Sequence, residues 1–498
     1  MPRSTRYAVR PFAAIAALTL ALSSFALAPA SAEPTDAPER EVSDGTWGSS
    51  TPTAMRLTEF PADTADLERD EPQLSPAAAP TVSGVLEYRL PNNSTAPVVD
   101  GVIRFWREVS TDVYANLASV GSFGPNGEFS TSLTAGTYRI EFITFDVGAG
   151  ARTYWNNEPV FFGADKIVLN EDFNQNLGTV VIEPLSVSFD RVAGLDRFET
   201  AAALSAGVLD GTSPAPVVYI VNAFGFADAL SAGPAAAAQG GVLLPVYDTS
   251  IPDVIRDELT RLNPERIVIA GGTGVVSAGV ETELQAFVDS PADVDRVAGP
   301  DRYATSRAIV LDAFGDTELI TLFFATGRDF PDALAAGPAA AFFDTAVLLV
   351  DGSASSLPPA TRALIEGFDD PYAFLAGGTG VISSAVAAAI AAEVGGPGFT
   401  QRLAGADRFE TSRVINEYVF RNSAAYSDFA FIANAYDFPD ALSAGPVAAA
   451  FQAPLYLSAQ QCLDARTASG IADLLVSQAF LVGGTGVLSD RVLAADVC

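Results

Sequence analysis

The residues with the clearest chemical potential are arginines that recur three times in a strongly acidic chain. Of 498 residues, 28 are Lys or Arg and 60 are Asp or Glu, which gives a formal charge of −32. A guanidinium group is planar and can donate two parallel hydrogen bonds, so it suits a carboxylate or a phosphate. An internal pair with a nearby aspartate explains the same arginines equally well. The recurring positions are Arg191, Arg296 and Arg402, and then Arg197, Arg302 and Arg408.

A glycine turn recurs with the arginines, as AGGTGVVS, AGGTGVIS and VGGTGVLS. Glycine permits positive φ, and the serine that follows can cap a helix. Such a turn would present free N–H groups and the positive end of a helix dipole, which suits an anion. It lacks the lysine of a phosphate-binding loop, and a tight turn that needs glycine only for packing is the alternative. The glycines are Gly271, Gly272, Gly274, Gly377, Gly378, Gly380, Gly483, Gly484 and Gly486.

The residues needed for catalysis are scarce. The chain contains no histidine, which excludes Ser-His-Asp and Cys-His pairs and every zinc site that uses histidine. At the end of the first strand only one acid recurs in each copy, and a phosphotransferase or metal site would need a second acid nearby. Asp329 and Asp437 supply one in two copies, but Gly225 stands there in the first. We therefore predict that the protein is not an enzyme and has no metal site. The recurring acids are Asp228, Asp332 and Asp440.

Composition limits the possible partners. The mean hydropathy is +0.26 and 49% of the residues are hydrophobic, which indicates a folded chain. The large negative charge argues against general binding to nucleic acid or to an anionic membrane, because both require clustered Lys and Arg.

Three copies of one unit must position these side chains. RVAGLDRFET, RVAGPDRYAT and RLAGADRFET begin at residues 191, 296 and 402, and a DAL-x-AGP segment and the glycine turn follow each in the same order. A period near 105 residues is too long for a solenoid repeat, so each copy is a domain or subdomain. We place the repeats at 190–293, 294–399 and 400–498.

Strand and helix patterns alternate within each copy. In the first, apolar runs at 217–223, 241–246 and 266–272 predict strands, and 227–239, 251–262 and 278–288 predict helices. This alternation predicts a doubly wound α/β fold with a parallel sheet covered on both faces, and ligands bind such sheets at the carboxyl ends of the strands. Asp196 with Glu199, and Asp407 with Glu410, have the spacing of a capping box.

The N-terminal part divides into three segments. Basic, apolar and small-residue regions in turn predict a secretory signal peptide at 1–32, with an uncleaved anchor as the alternative, and no other membrane anchor is expected. The proline-rich acidic segment 33–80 predicts a flexible linker. Short β patterns between turn residues at 81–189 predict an antiparallel sandwich of about seven strands.

The two cysteines, Cys462 and Cys498, both lie in the third repeat. In an exported chain such a pair is expected to form a disulfide, which would close a loop of about 37 residues and stabilise the fold by roughly 3 kcal/mol.

Two family resemblances follow from these motifs. The threefold RVAGLDRFET, DALSAGPAAA and GGTGVVS pattern resembles the cell wall-binding repeat 2 family of Gram-positive surface proteins, over about 309 residues. This resemblance implies Rossmann- or toprim-like units in a pseudo-threefold assembly that binds an anionic wall polymer, teichoic-acid-like or polysaccharide, without covalent attachment. GPNGEFSTSLTAGTYRIEF is similar to carboxypeptidase-regulatory-like, transthyretin-type sandwiches.

We therefore expect a secreted surface protein that is anchored by its repeats and displays its sandwich. An acidic module can hold an anionic polymer only through local contacts, so we expect the arginines and glycine loops, or a bridging divalent cation, to provide them. One alternative is an accessory subunit of a wall hydrolase. Another is an adhesin or carbohydrate-binding protein that uses Trp106, Tyr154 or Trp155 of the sandwich, although a core position also explains these aromatics.

Overall fold

The computed structural model describes residues 80–90, 93–110, 113–146, 151–157, 164–170, 174–183, 186–315, 317–368, 371–421 and 427–498. The predicted signal peptide, 1–32, lies outside the described residues. The predicted linker, 33–80, also lies outside them apart from Pro80.

Two facing β-sheets form the first folded part and share one apolar core, in which Leu86 and Phe142 are fully buried. The described residues contain nine strands here, two more than predicted, because strands of three or four residues are too short to show alternation. β1 and β9 run parallel, so the sandwich is not wholly antiparallel. One sheet consists of β1 Thr81–Arg89, β2 Thr95–Pro97, β5 Glu128–Ser132 and β9 Gln175–Ile182. The other consists of β3 Gly101–Ser110, β4 Val113–Val120, β6 Gly136–Thr144, β7 Ala151–Tyr154 and β8 Ile167–Leu169.

Three parallel sheets follow, which confirms the predicted α/β fold class. Their strands are almost entirely buried because helices cover both faces, as the continuous apolar runs predicted. The first sheet contains β11 Val218–Asn222, β12 Val242–Val246 and β13 Ile267–Ala270. The second contains β15 Thr321–Thr326, β16 Val347–Val350 and β17 Tyr372–Ala376. The third contains β19 Phe429–Asn434, β20 Leu455–Ser458 and β21 Gln478–Val482.

Each sheet takes its fourth strand from the start of another repeat. β14, Val294–Val297, adds to the first sheet beside β13, and β18, Thr400–Leu403, adds to the second beside β17. β10, Ser188–Val192, adds to the third sheet beside β21, so the first repeat completes the sheet of the last. The folded units are therefore offset by one strand from the sequence repeats, and β10 begins within the range predicted for the sandwich.

The helices lie where the patterns place them, with small shifts at their ends. Those of the first repeat are α1 Arg197–Ala206, α2 Ala227–Ala238, α3 Asp253–Leu262 and α4 Ala278–Leu284. The second has α5 Arg302–Phe314, α6 Pro331–Phe342, α7 Pro359–Glu366 and α8 Ser384–Glu393. The third has α9 Arg408–Asn416, α10 Pro439–Ala450, α11 Ala465–Asp473 and α12 Asp490–Leu493. Short 3-10 turns at Trp155–Asn157, Gln285–Phe287, Pro291–Asp293 and Pro397–Phe399, and a π turn at Glu417–Arg421, are the other helical segments of the described residues.

The helices α2, α6 and α10 meet at the centre of the three units. They are rich in alanine and apolar on all sides, as expected of a buried helix. A Cβ atom on Gly337 would lie 3.8 Å from the ring of Pro234, and one on Gly233 would lie 3.8 Å from Pro446. A Cβ at either glycine would thus make ordinary van der Waals contact, so alanine would also fit at these positions. Among the described residues, no helix is long and apolar enough to cross a membrane.

Candidate functional site

The site lies at the carboxyl edge of the three sheets, where the central helices begin. Phe226, Phe330 and Phe438 directly precede α2, α6 and α10, and their ring centroids are 5.8, 5.7 and 5.5 Å apart. Three rings at nearly equal separations mark a pseudo-threefold axis. The candidate residues are arranged around this axis, one set at each junction between repeats; we call these junctions the seams.

One aspartate of each central helix faces the next repeat across a seam. Burial is the largest influence on these carboxyls and raises the pKa of each to about 6. A threonine hydrogen bond and an arginine charge from the next repeat lower the pKa, but by less. Asp440 is only 9% exposed, and its Oδ1 has no hydrogen-bond partner. The sets are Asp228 with Arg302 and Thr305, Asp332 with Arg408 and Thr411, and Asp440 with Arg197 and Thr200.

The second group of predicted arginines lies at these seams. Nη1 of Arg197 donates to the carbonyl oxygen of Ala223 over 2.7 Å, at the end of strand β11. Nη1 of Arg302 and Arg408 make the same bond after β15 and β19, to Gly327 over 2.6 Å and to Ala435 over 2.7 Å. One N–H of each guanidinium thus fixes its position, and the group remains partly or fully exposed.

Aromatic rings lie against the same guanidinium groups. Arg197 lies over the ring of Phe224 at 4.8 Å, and Arg408 lies over Tyr436 at 5.0 Å. Arg302 lies instead over Phe226, at 5.7 Å, in the preceding repeat. These cation–π contacts hold the arginines at the surface without neutralising their charge.

The first group of predicted arginines has a different position. Nη1 of Arg191, Arg296 and Arg402 donates to the carbonyl oxygens of Gly483, Gly271 and Gly377, over 2.7, 2.8 and 2.7 Å. Each arginine is on the fourth strand of a sheet and holds the glycine turn of the adjacent strand. An ion pair adds to this contact for two of them, with Asp490 for Arg191 and Glu281 for Arg296. Their contacts are thus within the fold, as the alternative of an internal pair predicts for Arg191 and Arg296.

The glycines of each turn fall into two classes. Gly271, Gly377 and Gly483 have φ of 114°, 108° and 102°, and a Cβ there would lie within 2.6 Å of the seam aspartate. Sterics therefore require glycine at this position. The glycines on the exposed part of the turn have open space around them. These are Gly272, Gly274, Gly378, Gly380 and Gly486, with Gly484 reaching only a carbonyl at 3.9 Å.

An asparagine at the end of the first strand connects this turn to the neighbouring loop. Asn222 Nδ2 donates to the Val275 carbonyl over 2.7 Å, and its Oδ1 accepts from the Phe224 amide over 2.8 Å. In the third repeat Asn434 makes the same pair of bonds, to Val487 and from Tyr436. The loop that carries the aromatic residue is thereby fixed beside the glycine turn.

The second repeat departs from this arrangement. Thr326 replaces the asparagine and accepts from the Arg328 amide over 3.3 Å. Arg328 replaces the aromatic residue, and its Nε lies 2.7 Å from Oδ1 of Asp351. This pair and the hydrogen bonds from Ser353 lower the pKa of Asp351 to about 2. The three sites therefore have the same backbone arrangement, but the second presents different side chains at its surface.

Sequence reasoning missed the seam threonines and the asparagines. Thr200, Thr305 and Thr411 each accept a hydrogen bond from the glycine of the RVAG or RLAG segment, over 3.0 to 3.1 Å. The threonine recurs in all three copies of the first motif, so its repetition was the available signal. Asn222 and Asn434 were visible as NAFG and NAYD in two copies.

The sandwich aromatics lie in or beside packed interiors. Tyr154 is 2% exposed and donates to Asp428 of the third repeat over 3.0 Å. Trp155 packs against the sandwich core, and Trp106 Nε1 donates to Glu141 over 3.2 Å. These contacts correspond to the packing alternative rather than to an exposed sugar-binding platform.

Cys462 and Cys498 form a disulfide, as predicted. The bond fixes the last residue beside the strand region of the third repeat, where the Cys498 amide donates to Leu463. Within the described ranges, no group of three or more His, Cys, Asp or Glu side chains could hold a metal ion. A divalent cation that bridges protein and polymer stays a prediction, and release from the wall by a chelator would test it.

The family model described as Cell wall binding domain 2 (CWB2) matches residues 191–281, 296–387 and 402–493. The chain is 26% identical over 320 residues to the N-acetylmuramoyl-L-alanine amidase LytC of Bacillus subtilis, covering 64% of this chain and 60% of LytC. It is 26% identical over 304 residues to the amidase enhancer of the same bacterium, covering 61% of this chain and 39% of the enhancer. The chain therefore spans less than two thirds of either relative.

Two solved structures share the fold. Cwp6 from Clostridium difficile superposes with a TM-score of 0.54 at 18% identity, over 81% of this chain and 65% of Cwp6. Cwp8 from the same species superposes with a TM-score of 0.52 at 21% identity, over 72% of this chain and 58% of Cwp8. At such identities the likeness concerns the fold alone, and it agrees with three parallel α/β units.

Proposed function

Since this chain belongs to the Cell wall binding domain 2 family, we propose that its three repeats attach it noncovalently to the Gram-positive wall through an anionic secondary polymer. The polymer would be teichoic-acid-like or a polysaccharide. The family supports binding to the wall. The anionic nature of the ligand is inferred from the arginines of this chain.

One observation carries this proposal: each seam presents one guanidinium at the carboxyl edge of a parallel sheet. Arg197, Arg302 and Arg408 use Nη1 for a carbonyl, and they are positioned by aromatic rings rather than by tight ion pairs. Among the described residues, the one carboxylate oxygen within 4.0 Å of any of these guanidinium groups is that of Asp329, 3.8 Å from Arg408. A fixed guanidinium with donors to spare suits a phosphate or carboxylate of a polymer.

The glycine turns supply the second part of the proposed surface. Gly272, Gly274, Gly378 and Gly380 are not needed for packing, because a Cβ there would meet no atom within 4 Å. Glycine at such exposed positions allows a ligand to approach the backbone closely. Arg191, Arg296 and Arg402 would then act indirectly, by holding each turn through its first glycine carbonyl.

We further propose that the protein binds rather than catalyses, is exported and resides at the cell surface. The lack of histidine, and the single acid that recurs at the end of the first strand in all three repeats, support binding over catalysis. The signal-peptide pattern of residues 1–32 supports export. Arg152 connects the sandwich to the third repeat through Asp428, so the sandwich would be presented in a fixed orientation. Its family and its ligand stay predictions.

The test is binding to isolated Gram-positive cell walls and to the polymer extracted from them. The variant carries Arg197→Gln, Arg302→Gln and Arg408→Gln. A matched control carries Arg89→Gln, Arg256→Gln and Arg362→Gln, which removes the same charge from outer surfaces.

We expect the seam variant to lose wall binding and the control to keep it, with both retaining the native circular dichroism spectrum. Comparing residues 33–186 with 187–498, a division that leaves strand β10 intact, would locate the activity. Undiminished binding by the seam variant, or binding by the N-terminal piece alone, would overturn the proposal.

A further inference from the structure

Two of the three sites expose an aromatic ring beside the proposed binding arginine. Phe224 is 59% exposed and Tyr436 is 65% exposed, although both belong to loops fixed against a sheet. Tyr247, 39% exposed, lies beside Phe224, with ring centroids 5.8 Å apart and planes inclined by 27°. The first site therefore presents a small aromatic surface of two rings, and the third site presents one ring.

These rings are held in place. The backbone amides of Phe224 and Tyr436 donate to Asn222 and Asn434 over 2.8 Å. Arg197 and Arg408 cover part of each ring, at 4.8 and 5.0 Å from the centroids. A ring fixed in this way loses little conformational entropy when it binds a ligand, so its exposed area can contribute to affinity.

We propose that the first and third repeats each bind one sugar ring that carries an anionic group. The C–H face of the sugar would pack on Phe224 or Tyr436, and its carboxylate or phosphate would contact Arg197 or Arg408. The apolar face of an aromatic ring suits the first contact, and the guanidinium suits the second. This inference rests on the proposed wall-binding function and names the class of ligand.

The second repeat would bind an anionic group without a sugar ring. At the equivalent loop Arg328 replaces the aromatic residue and pairs with Asp351 over 2.7 Å, and the nearby Tyr303 is half-buried and interacts with Arg328. The seam arginine Arg302 lies over Phe226, which is half-buried in the cluster on the axis. The protein would thus bind the polymer through two subsites that contact a sugar ring and one subsite that contacts only an anionic group.

The experiment compares two probes of similar charge on the mature protein by isothermal titration calorimetry. Tetragalacturonate offers sugar rings with carboxylates, whereas linear tetraphosphate offers negative charge without rings. The variant is Phe224→Ala with Tyr436→Ala, and the control is Leu311→Ala with Ile320→Ala, which removes exposed apolar side chains of the second repeat. A second variant, Phe224→Tyr with Tyr436→Phe, keeps both rings.

We expect the double alanine variant to bind tetragalacturonate about tenfold more weakly, with tetraphosphate affinity unchanged. The control and the ring-preserving variant should match the wild type. Equal loss for both probes, no loss for tetragalacturonate, or no binding of tetragalacturonate to the wild type would overturn the inference. If wall binding requires the seam arginines but not the two rings, only this inference fails. If wall binding survives loss of the arginines, the proposed function itself fails.

Discussion

The junctions between repeats and the junction between the sandwich and the third repeat use different kinds of contact. The seams between repeats consist of alanine-rich helices with one partly buried aspartate, and the same arrangement occurs three times. The junction between sandwich and third repeat occurs once and depends on Arg152, which is 3% exposed. Arg152 lies 2.6 Å from Asp428 and 3.6 Å from Glu141, and its Nη2 donates to the Leu475 carbonyl over 2.7 Å.

This difference indicates how each junction can fail. The free energy that an apolar surface contributes is proportional to the area it buries. A small change in a side chain at a seam should therefore change the stability only slightly. A buried ion pair contributes only while all its partners are present, because a remaining charge is expensive to keep out of water. Burial lowers the pKa of Arg152, and the surrounding negative charges, Asp428 and Glu141 among them, raise it above its usual value overall. The sandwich is thus attached by a specific interaction, and the repeats by a general one.

The largest effect should come from breaking the specific junction. Arg152→Met keeps much of the side-chain length but removes the guanidinium that lies 2.6 Å from the buried carboxylate of Asp428, while Glu141 still lies 3.3 Å from Arg104. We expect a loss of about 3–5 kcal/mol in the free energy of unfolding, measured by urea denaturation.

The control for this prediction is Arg89→Met, since Arg89 pairs with Glu183 at the surface of the same sandwich. An exposed pair contributes less than about 1 kcal/mol. Similar losses for the two variants would show that the Arg152 cluster is not the special junction that we infer.

The next largest effect on stability should come from replacing the seam aspartates. This replacement should stabilise the protein, whereas the replacement of Arg152 should destabilise it. Asp228, Asp332 and Asp440 have a folded pKa of about 6, above that of an unfolded aspartate. Protonation therefore favours the folded state, and this contribution to stability is lost as the pH rises from about 4 through 6. The nearby Arg302, Arg408 and Arg197 and the seam threonines reduce this effect without reversing it.

We expect replacement of all three by asparagine to stabilise the repeats at pH 7, by on the order of 1 kcal/mol per site. The variant should also lose the wild-type decrease in stability between about pH 4 and 6. Thermal unfolding of both proteins across this range measures the effect. A control with Asp257→Asn, Asp289→Asn and Glu318→Gln, all at exposed positions, removes the same three negative charges. A variant less stable than the wild type at pH 7 would mean that the seams, too, depend on a charge pair.

The fold could be predicted from the sequence because the three copies repeat both pattern and spacing. The helix at 227–239 is observed as Ala227–Ala238, and the strand at 217–223 as Val218–Asn222. The exchanged strands could not be predicted, because a four-residue segment such as Val294–Val297 contains nothing that tells which sheet it joins. Pairing partners of a short strand are set by the assembly and not by local residues.

The site was predictable only in part for a similar reason. Repetition identified the arginines, but it could not distinguish those that hold a glycine turn, such as Arg296, from those that lie at a seam, such as Arg302. That distinction depends on how two repeats pack together. Phe224 and Tyr436 did not repeat in the second copy, so a search for identical landmarks passed over them.

The smallest effect on stability should come from a hydrogen bond that is present at the start of α1 and α9 and missing at the start of α5. Oε2 of Glu199 accepts from the Leu195 amide over 2.8 Å, and Glu410 accepts from the Ala406 amide over 2.8 Å. These bonds go one residue further back than in a standard capping box, in which the glutamate reaches the amide of the N-cap residue itself. In the second repeat Ala304 replaces the glutamate, and Pro300 replaces the residue that would donate.

Because proline has no N–H group, a glutamate at position 304 would have no donor to reach. We therefore expect Ala304→Glu alone to leave stability unchanged. Added to Pro300→Ala, the same substitution should stabilise α5 by about 0.5–1 kcal/mol. A double-mutant cycle measured by urea unfolding isolates this coupling from the entropic effect of removing the proline. A gain from Ala304→Glu in the presence of Pro300, or a coupling energy of zero, would show that proline and alanine are not a matched pair. The second seam would then differ from the others in more than this missing hydrogen bond.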